Sequence, residues 1–178
     1  TEHITGYERR LNGSLRVLDI QPLDLPPQVF ETEGLWFVIP DRFRIRVEDE
    51  LLHFMGSIHA LEHVSIGLMP LLVLVDRNDL GGISTPMHPR LGSSAVFIYD
   101  GLPGGAGLTR GAFPLLEQLF EAGRDTLASC PCEAGCPSCT HSPKCGSGNR
   151  PIDKAGALFL ISSLIGGTYD PGDEKLLH

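Results

Sequence analysis

Five cysteines crowd into one short stretch of this chain: Cys130-Pro131-Cys132, then Gly135-Cys136-Pro137-Ser138-Cys139, then Cys145. Cys136-Pro-Ser-Cys139 has the spacing of a knuckle that turns two sulfurs toward one ion at about 2.3 Å, with Gly135 and Pro137 supplying the tight backbone. Cys130 and Cys132, one residue apart around Pro131, give a second pair if the backbone there is irregular. Four thiolates complete a tetrahedral zinc site with no open position for substrate, and closed sites of this kind are structural. An iron–sulfur cluster uses the same number of ligands. A redox cysteine pair needs a thioredoxin-like strand and helix around it, which the flanking sequence lacks. Unliganded burial is disfavoured, because a Gly/Pro-rich loop offers five thiols no core. Five candidates for four places leave one spare. The two close pairs make Cys145 the outsider, although Cys145 in place of Cys130, or His141 in place of any of them, also completes four.

A second constellation is His59-Ala60-Leu61-Glu62-His63, which matches the inverted zinc-peptidase pattern. On a helix the two histidines share one face at i and i+4, with Glu62 beside them as a base. This metallohydrolase is the alternative function. It requires a third ligand, for which Asp76, Asp79, Asp100 and Glu117 are candidates that nothing in the sequence separates. The competing reading buries the histidines and the glutamate in the core, hydrogen-bonded to one another. The turn Asp100-Gly101 to Gly107 follows a strand and precedes a helix, like an anion cradle, but lacks the Lys-Ser/Thr of a phosphate loop and the spacing of a dinucleotide fingerprint. Tight packing on the sheet is the simpler explanation. Asp49-Glu50-Leu51-Leu52-His53 is one residue too long for a helicase DExH box and is placed at a helix start, where acidic residues favour the macrodipole. No ATPase motor is read in the chain.

The elements that must position these groups follow from periodicity. Residues 3–10 and 14–20 read as a hairpin about Asn12-Gly13. Val29–Ile39 is rich in β-formers and stops at Pro40. From about Glu48 to Leu68 the period becomes helical, with Leu51, Phe54, Met55, Ile58, Leu61 and Leu68 on one face of a core helix. Residues 76–82 read as a loop and Ala95–Tyr99 as a short strand; a helix then spans about Leu115–Ala128. Pro151 and Asp153 open a last helix, Lys154–Leu164, which Gly166-Gly167 ends. The fold class is α+β, or mixed α/β: an N-terminal hairpin and strands, a central core helix, and a zinc loop at 128–149 between the last two helices. One domain, 1–178, is expected.

With 178 residues, 42% of them hydrophobic and 20% charged, the chain can bury one core with a small satellite around a metal. A net charge of −8 argues against wrapping nucleic acid by bulk electrostatics, though not against a local basic strip. The longest apolar run, near Ile66–Val75, is too short for a bilayer and is interrupted by Gly67 and Pro70, so no membrane partner is expected. The polar N-terminus carries no signal peptide, and a start at Thr1 suits a domain cut from a larger protein. Clustered cysteines in odd number suit a metal in a reducing cytoplasm better than an extracellular disulfide scaffold.

The combination has a likeness. Cys130-x-Cys132-x-x-Gly135-Cys136-Pro137-x-Cys139, followed by Ser142-Pro143-Lys144-Cys145-Gly146, resembles the zinc-binding C-terminal domain of MrfA-type superfamily 2 helicases, relatives of the Hrq helicases. His59 to His63, Asp76 to Asp79 with Gly81-Gly82, and Tyr99-Asp100 with Pro103-Gly104-Gly105 resemble it in the same order, from near Tyr7 to the final helix. The cysteine run is the most specific part. The resemblance implies ligands at Cys130, Cys132, Cys136 and Cys139 for one structural Zn2+, and leaves Cys145 unassigned. It also implies an ATP-dependent DNA helicase acting in repair as the whole protein, with motor domains in the same polypeptide as partners. This domain would then be no enzyme by itself. His141, Lys144, Arg150 and Lys154 are the local concentration of positive charge. They either offset a zinc–tetrathiolate centre or reach phosphate, with Lys144 and Arg150 as candidate DNA contacts.

Overall fold

The computed structural model describes residues 5–11, 16–26 and 29–166. Two compact units make up the chain, 1–30 and 31–178. In the first, β1 (Gly6–Arg10) pairs antiparallel with β2 (Val17–Pro22), Tyr7 opposite Gln21, with a register shift at Arg9/Arg10. This is the hairpin read from the sequence; its Asn12-Gly13 turn lies outside the described residues.

The second unit is built on alternation. In β3 (Gly34–Ile39), Leu35, Phe37 and Ile39 are buried, and their partners Ile98, Val96 and Ser94 on β5 (Ser93–Asp100) are buried with them. Trp36 and Phe97 stack on the opposite face. Period-two patterning thus sends one apolar row toward the helices. The sheet order is β3-β5-β4, all antiparallel, with β4 (Leu80–His88) on the outer side. The sequence predicts a loop at 76–82. Instead, a single 3-10 turn at Arg77–Asp79, capped by the Asp76 side chain on Asn78 N at 2.8 Å, leads directly into β4. Gly81-Gly82 is a strand that lets a helix come close: a Cβ on Gly82 would stand 2.6 Å from Ile66 Cδ1 and 2.7 Å from Glu62 Oε1. The upstream strand is also shorter than expected, because Val29, 91% exposed, makes no ladder.

The expected single helix from Glu48 to Leu68 is two. α1 (Asp41–Asp49) ends where that helix was to begin, and α2 (Phe54–Leu68) starts after a break in which Leu51 has φ 58° and is 94% exposed. The acidic Asp49-Glu50 pair therefore closes a helix and does not open one. Sequence periodicity runs through the break because Leu51 happens to fall on the apolar stripe. From Gly56 to Ser65, α2 is buried on every side. It packs on β4 and β5 and against α4 (Leu116–Ser129) and α5 (Lys154–Gly166). Small residues set these approaches: a Cβ on Gly123 would meet Ile161 Cδ1 at 2.8 Å, and one on Gly56 would meet Asp153 N at 2.9 Å. Asp153 caps α5 through Gly156 N at 2.8 Å and with its other oxygen accepts from His53 N at 2.8 Å, so one carboxylate starts α5 and ties it to the head of α2.

The glycine turn after β5 cradles an anion, and that anion is the chain's own. The Asp100 carboxylate accepts from Ala106 N (2.7 Å), Leu108 N (3.1 Å) and Thr109 N (3.0 Å), where the short α3 (Leu108–Ala112) begins. Burial alone would push its pKa up, but the N–H groups of Thr109, Ala106 and Leu108 outweigh it and hold the carboxyl below its ordinary value. Asp100 is fully buried. Replacing it with alanine leaves three N–H groups without their acceptor and is expected to lower unfolding free energy by about 2–4 kcal/mol in a denaturant titration. Because the folded pKa is depressed, this contribution is complete above the unfolded carboxyl pKa and is lost as pH falls through the folded one. The gap between wild type and Asp100→Ala should therefore be constant at neutral pH and close only in strong acid.

Candidate metal centre

The metal loop leaves α4 with Cys130 in extended backbone, its N–H still bonded to Thr126 O at 3.1 Å. Ahead, the Cys136 carbonyl accepts from Cys139 N (3.0 Å), Thr140 N (3.0 Å) and His141 N (2.9 Å), which winds the knuckle into a tight turn. Gly135, at φ 103°, gives it entry in a conformation that L side chains rarely adopt.

The four sulfurs converge. Cys130 Sγ lies 3.5 Å from both Cys132 Sγ and Cys136 Sγ, Cys132 to Cys139 is 3.4 Å, and Cys136 to Cys139 is 3.8 Å. A tetrahedron with Zn–S bonds of about 2.3 Å has edges of about 3.8 Å. Disulfide bonds, at about 2.05 Å, are excluded by the same distances. The donor set is all thiolate and closed on itself, so it fits a structural zinc ion. The Cys136 thiol is already biased toward thiolate: the Ser138 N–H, and after it the neighbouring Cys130 sulfur, pull its pKa from 9.0 down to about 6.

Around the centre, side chains from α2 and α5 hold the loop by its carbonyls. Lys154 Nζ, at the start of α5, donates to Cys130 O and Cys132 O, both at 2.6 Å. It is 9% exposed, so its ammonium is buried against the backbone of the first cysteine pair. His63 Nδ1 donates to Thr140 O at 2.6 Å, since a carbonyl can only accept, and Arg77 reaches His141 O at 3.3 Å. Burial first, and then coulombic interaction with His59, Arg77 and His141, pull the His63 pKa down to about 4 against the opposing pull of the Thr140 carbonyl. The His63 ring is neutral at physiological pH.

The residues singled out in the sequence thus separate into two groups. Cys130, Cys132, Cys136 and Cys139 come together, and Cys145 does not join them. Cys145 Sγ lies 3.4 Å from His59 Nε2, and the ligand atoms of His59, His63 and Cys145 all lie within 4.8 Å of one another. His59, Glu62 and His63 are buried as the core reading expects, but the rings bond to loop carbonyls, His59 Nδ1 donating to Pro151 O at 2.8 Å. No carboxylate accompanies the histidines in this group among the described residues. Asp100 is committed to its turn and Asp76 caps its own, so the peptidase reading is not favoured. Lys144 Nζ donates to Asn78 O (2.8 Å) and Leu80 O (3.2 Å), while Arg150 is exposed. Sequence reasoning groups Lys154 with the other cations but does not find its two carbonyl partners; the helix-start position beside the cysteine loop is the available signal.

Among the described residues no helix is long and apolar enough to cross a membrane. Residues 61–140 match the MrfA Zn-binding domain. An uncharacterized protein of Methanocaldococcus jannaschii is 34% identical over 110 residues, which cover 60% of this chain and 98% of that protein. The ATP-dependent helicase HRQ1 of Saccharomyces cerevisiae is 23% identical over 165 residues, covering 87% of this chain but 15% of the helicase. A crystal structure of the DUF1998 helicase MrfA bound to DNA superposes with a TM-score of 0.54 at 26% identity, over 85% of this chain and 19% of that one. The chain therefore spans less than a fifth of either helicase. Zinc is the ion this family binds, and the matched stretch ends on the knuckle just described. By its sequence, its fold and its cysteine centre, the chain belongs to the MrfA Zn-binding domain family of MrfA/Hrq-type helicases.

Proposed function

We propose that Cys130, Cys132, Cys136 and Cys139 hold one structural zinc, and that residues 1–178 serve as a non-motor accessory domain from the C-terminal part of an ATP-dependent DNA helicase acting in repair. The observation that carries this reading is the convergence of four sulfurs at 3.4–3.8 Å on a loop packed between α4 and α5. Metal-binding free energy becomes folding free energy for a segment that lacks an apolar core of its own. Through Lys154 the zinc loop fixes the start of α5, and the outer surface of that helix is what the domain offers to the motor domains. A thiolate centre of this kind is at home in a reducing compartment such as the cytoplasm.

DNA contact is the finer part of the proposal. Arg150 is exposed, whereas the Lys144 ammonium is shared with two carbonyls, so Arg150 is the better placed of the pair. Being bound to DNA is a property of the MrfA crystal structure; for this chain it rests on the likeness and on that side chain.

Metal content by elemental mass spectrometry tests the centre. Cys136→Ser/Cys139→Ser should lose one zinc per chain relative to wild type, together with cooperative unfolding. Full retention of zinc would overturn the assignment. Lys154→Met should keep the zinc but yield it more readily to a chelator, with affinity down about 10–100-fold as expected for outer-shell partners. An unchanged affinity would reduce Lys154 to a packing role. In the full-length helicase, Lys144→Ala/Arg150→Ala should weaken DNA binding and flatten its salt dependence, the log–log slope falling by about 0.9 for each phosphate that is no longer neutralised. Identical affinity and slope would show that neither side chain reaches DNA.

A further inference from the structure

Cys145 and the two histidines of α2 are left over from the four-cysteine centre, and their geometry is that of a second coordination shell already in place. His59 and His63 sit one helical turn apart on α2, with ring centroids 4.4 Å apart. Each ring spends its Nδ1–H on a loop carbonyl, Pro151 O for His59 at 2.8 Å and Thr140 O for His63 at 2.6 Å. A carbonyl cannot donate, so each ring carries a proton at Nδ1, which leaves Nε2 as the ring atom available to a metal. This second-partner arrangement is what orients histidines that bind metals.

The third group arrives from the loop between those two carbonyls. Cys145 Sγ stands 3.4 Å from His59 Nε2, close to the about 3.6 Å edge expected between nitrogen and sulfur on one tetrahedral zinc. The sulfur accepts from Asn149 N at 3.2 Å, and Ser147 Oγ is also 3.2 Å away, so the turn fixes where the sulfur stands. The turn that delivers them is shaped by Gly148 and Asn149, both with positive φ, and pinned by the Asn149 side chain to Ser142 N (2.7 Å) and Ser142 O (3.1 Å). Three borderline-to-soft ligand atoms within 4.8 Å, two of them pre-oriented, exceed what a buried thiol–imidazole hydrogen bond requires.

We infer that His59 Nε2, His63 Nε2 and Cys145 Sγ form a second metal site, distinct from the four-cysteine centre, that takes a zinc-class divalent cation. Imidazole and thiolate together suit zinc over the hard cations magnesium and calcium. Three protein ligands leave one coordination position for water or a group from another part of the full-length protein. The bound ion ties the tip of the 141–150 loop to the middle of α2, the most buried helix of the unit. This site shares no ligand with the first, so either assignment can fail alone.

The test uses the wild-type chain saturated with zinc and desalted. Two zinc ions per chain are expected, and brief alkylation followed by peptide mass mapping should find all five cysteines protected until a chelator is added. One zinc per chain, or selective alkylation of Cys145 in the zinc-loaded protein, overturns the second site. Protection of Cys145 with alkylation of the other four would sink the four-cysteine reading and leave this one standing. Cys145→Ser and His59→Gln should each fall from two equivalents to one. With cobalt in place of zinc, each should lose, relative to wild type, the thiolate-to-cobalt absorption of one sulfur ligand. Two equivalents persisting in both single variants would place the second ion elsewhere. Should either variant fail to fold, the stoichiometry and the thiol map of the wild type decide alone.

Discussion

Four sulfurs within hydrogen-bonding distance of one another are a problem in electrostatics before they are a site. Deprotonated without a cation they would repel strongly, and at separations of 3.4–3.8 Å a shared divalent ion is what the proposed centre supplies against that repulsion. Around a divalent ion the same four thiolates carry a net charge of about −2, which must itself be accommodated at the edge of an apolar core. The rest of the loop is arranged around that charge. Cys139 is buried, Cys130, Cys132 and Cys136 pack against the core, and the ammonium of Lys154 is brought in from α5 to the carbonyls of Cys130 and Cys132. A buried lysine is costly unless paired; here two carbonyls and a nearby thiolate centre offset the desolvation.

The second dependence is backbone satisfaction. A loop running from Cys130 to Asp153 without regular structure exposes many carbonyls, and those facing the core cannot reach water. The structure answers five of the loop's carbonyls with side chains from a helix or turn: Lys154 for Cys130 and Cys132, His63 for Thr140, Arg77 for His141, His59 for Pro151. Lys144, on the loop itself, does the same in reverse for Asn78 and Leu80 at the entrance of β4. The loop is thus stitched to α2, α5 and the sheet edge by polar atoms, while the sulfurs supply its centre. This explains why α2 carries two histidines among its buried residues.

Local chemistry is legible in the sequence, and long-range partnership is not. The knuckle Cys136-Pro-Ser-Cys139, the Asp153 cap and the β-former run that stops at Pro40 are short-range signals; the first two stand where spacing puts them, and the strand keeps its end at Ile39 while starting later, at Gly34. The break at Leu51 is hidden because an exposed leucine falls in phase with a buried stripe. β4 is hidden because Gly81 and Gly82 carry no strand propensity, and the reason for glycine at 82, the approach of Glu62 and Ile66, lies in another element. By spacing alone Cys145 is a surplus thiol, and only the fold brings it to His59, 86 positions away. An odd cysteine beside a four-cysteine set, with two histidines one turn apart elsewhere, is the available hint.

The histidine motif shows why spacing alone underdetermines chemistry. A helix puts His59 and His63 on one face whatever the protein does with them. What differs between a peptidase and this domain is the third group and the atoms behind the rings. In a peptidase the third group is a carboxylate and the glutamate faces the metal-bound water. Here the third group is a cysteine from a loop, and Glu62 Oε1 leans over Gly82 of the sheet. The rings are oriented by carbonyls of the same loop that carries the cysteine. Histidines, thiol and carbonyls therefore tie one loop to the middle of α2, so the same two rings that spacing offers to a peptidase serve here to hold the loop in place.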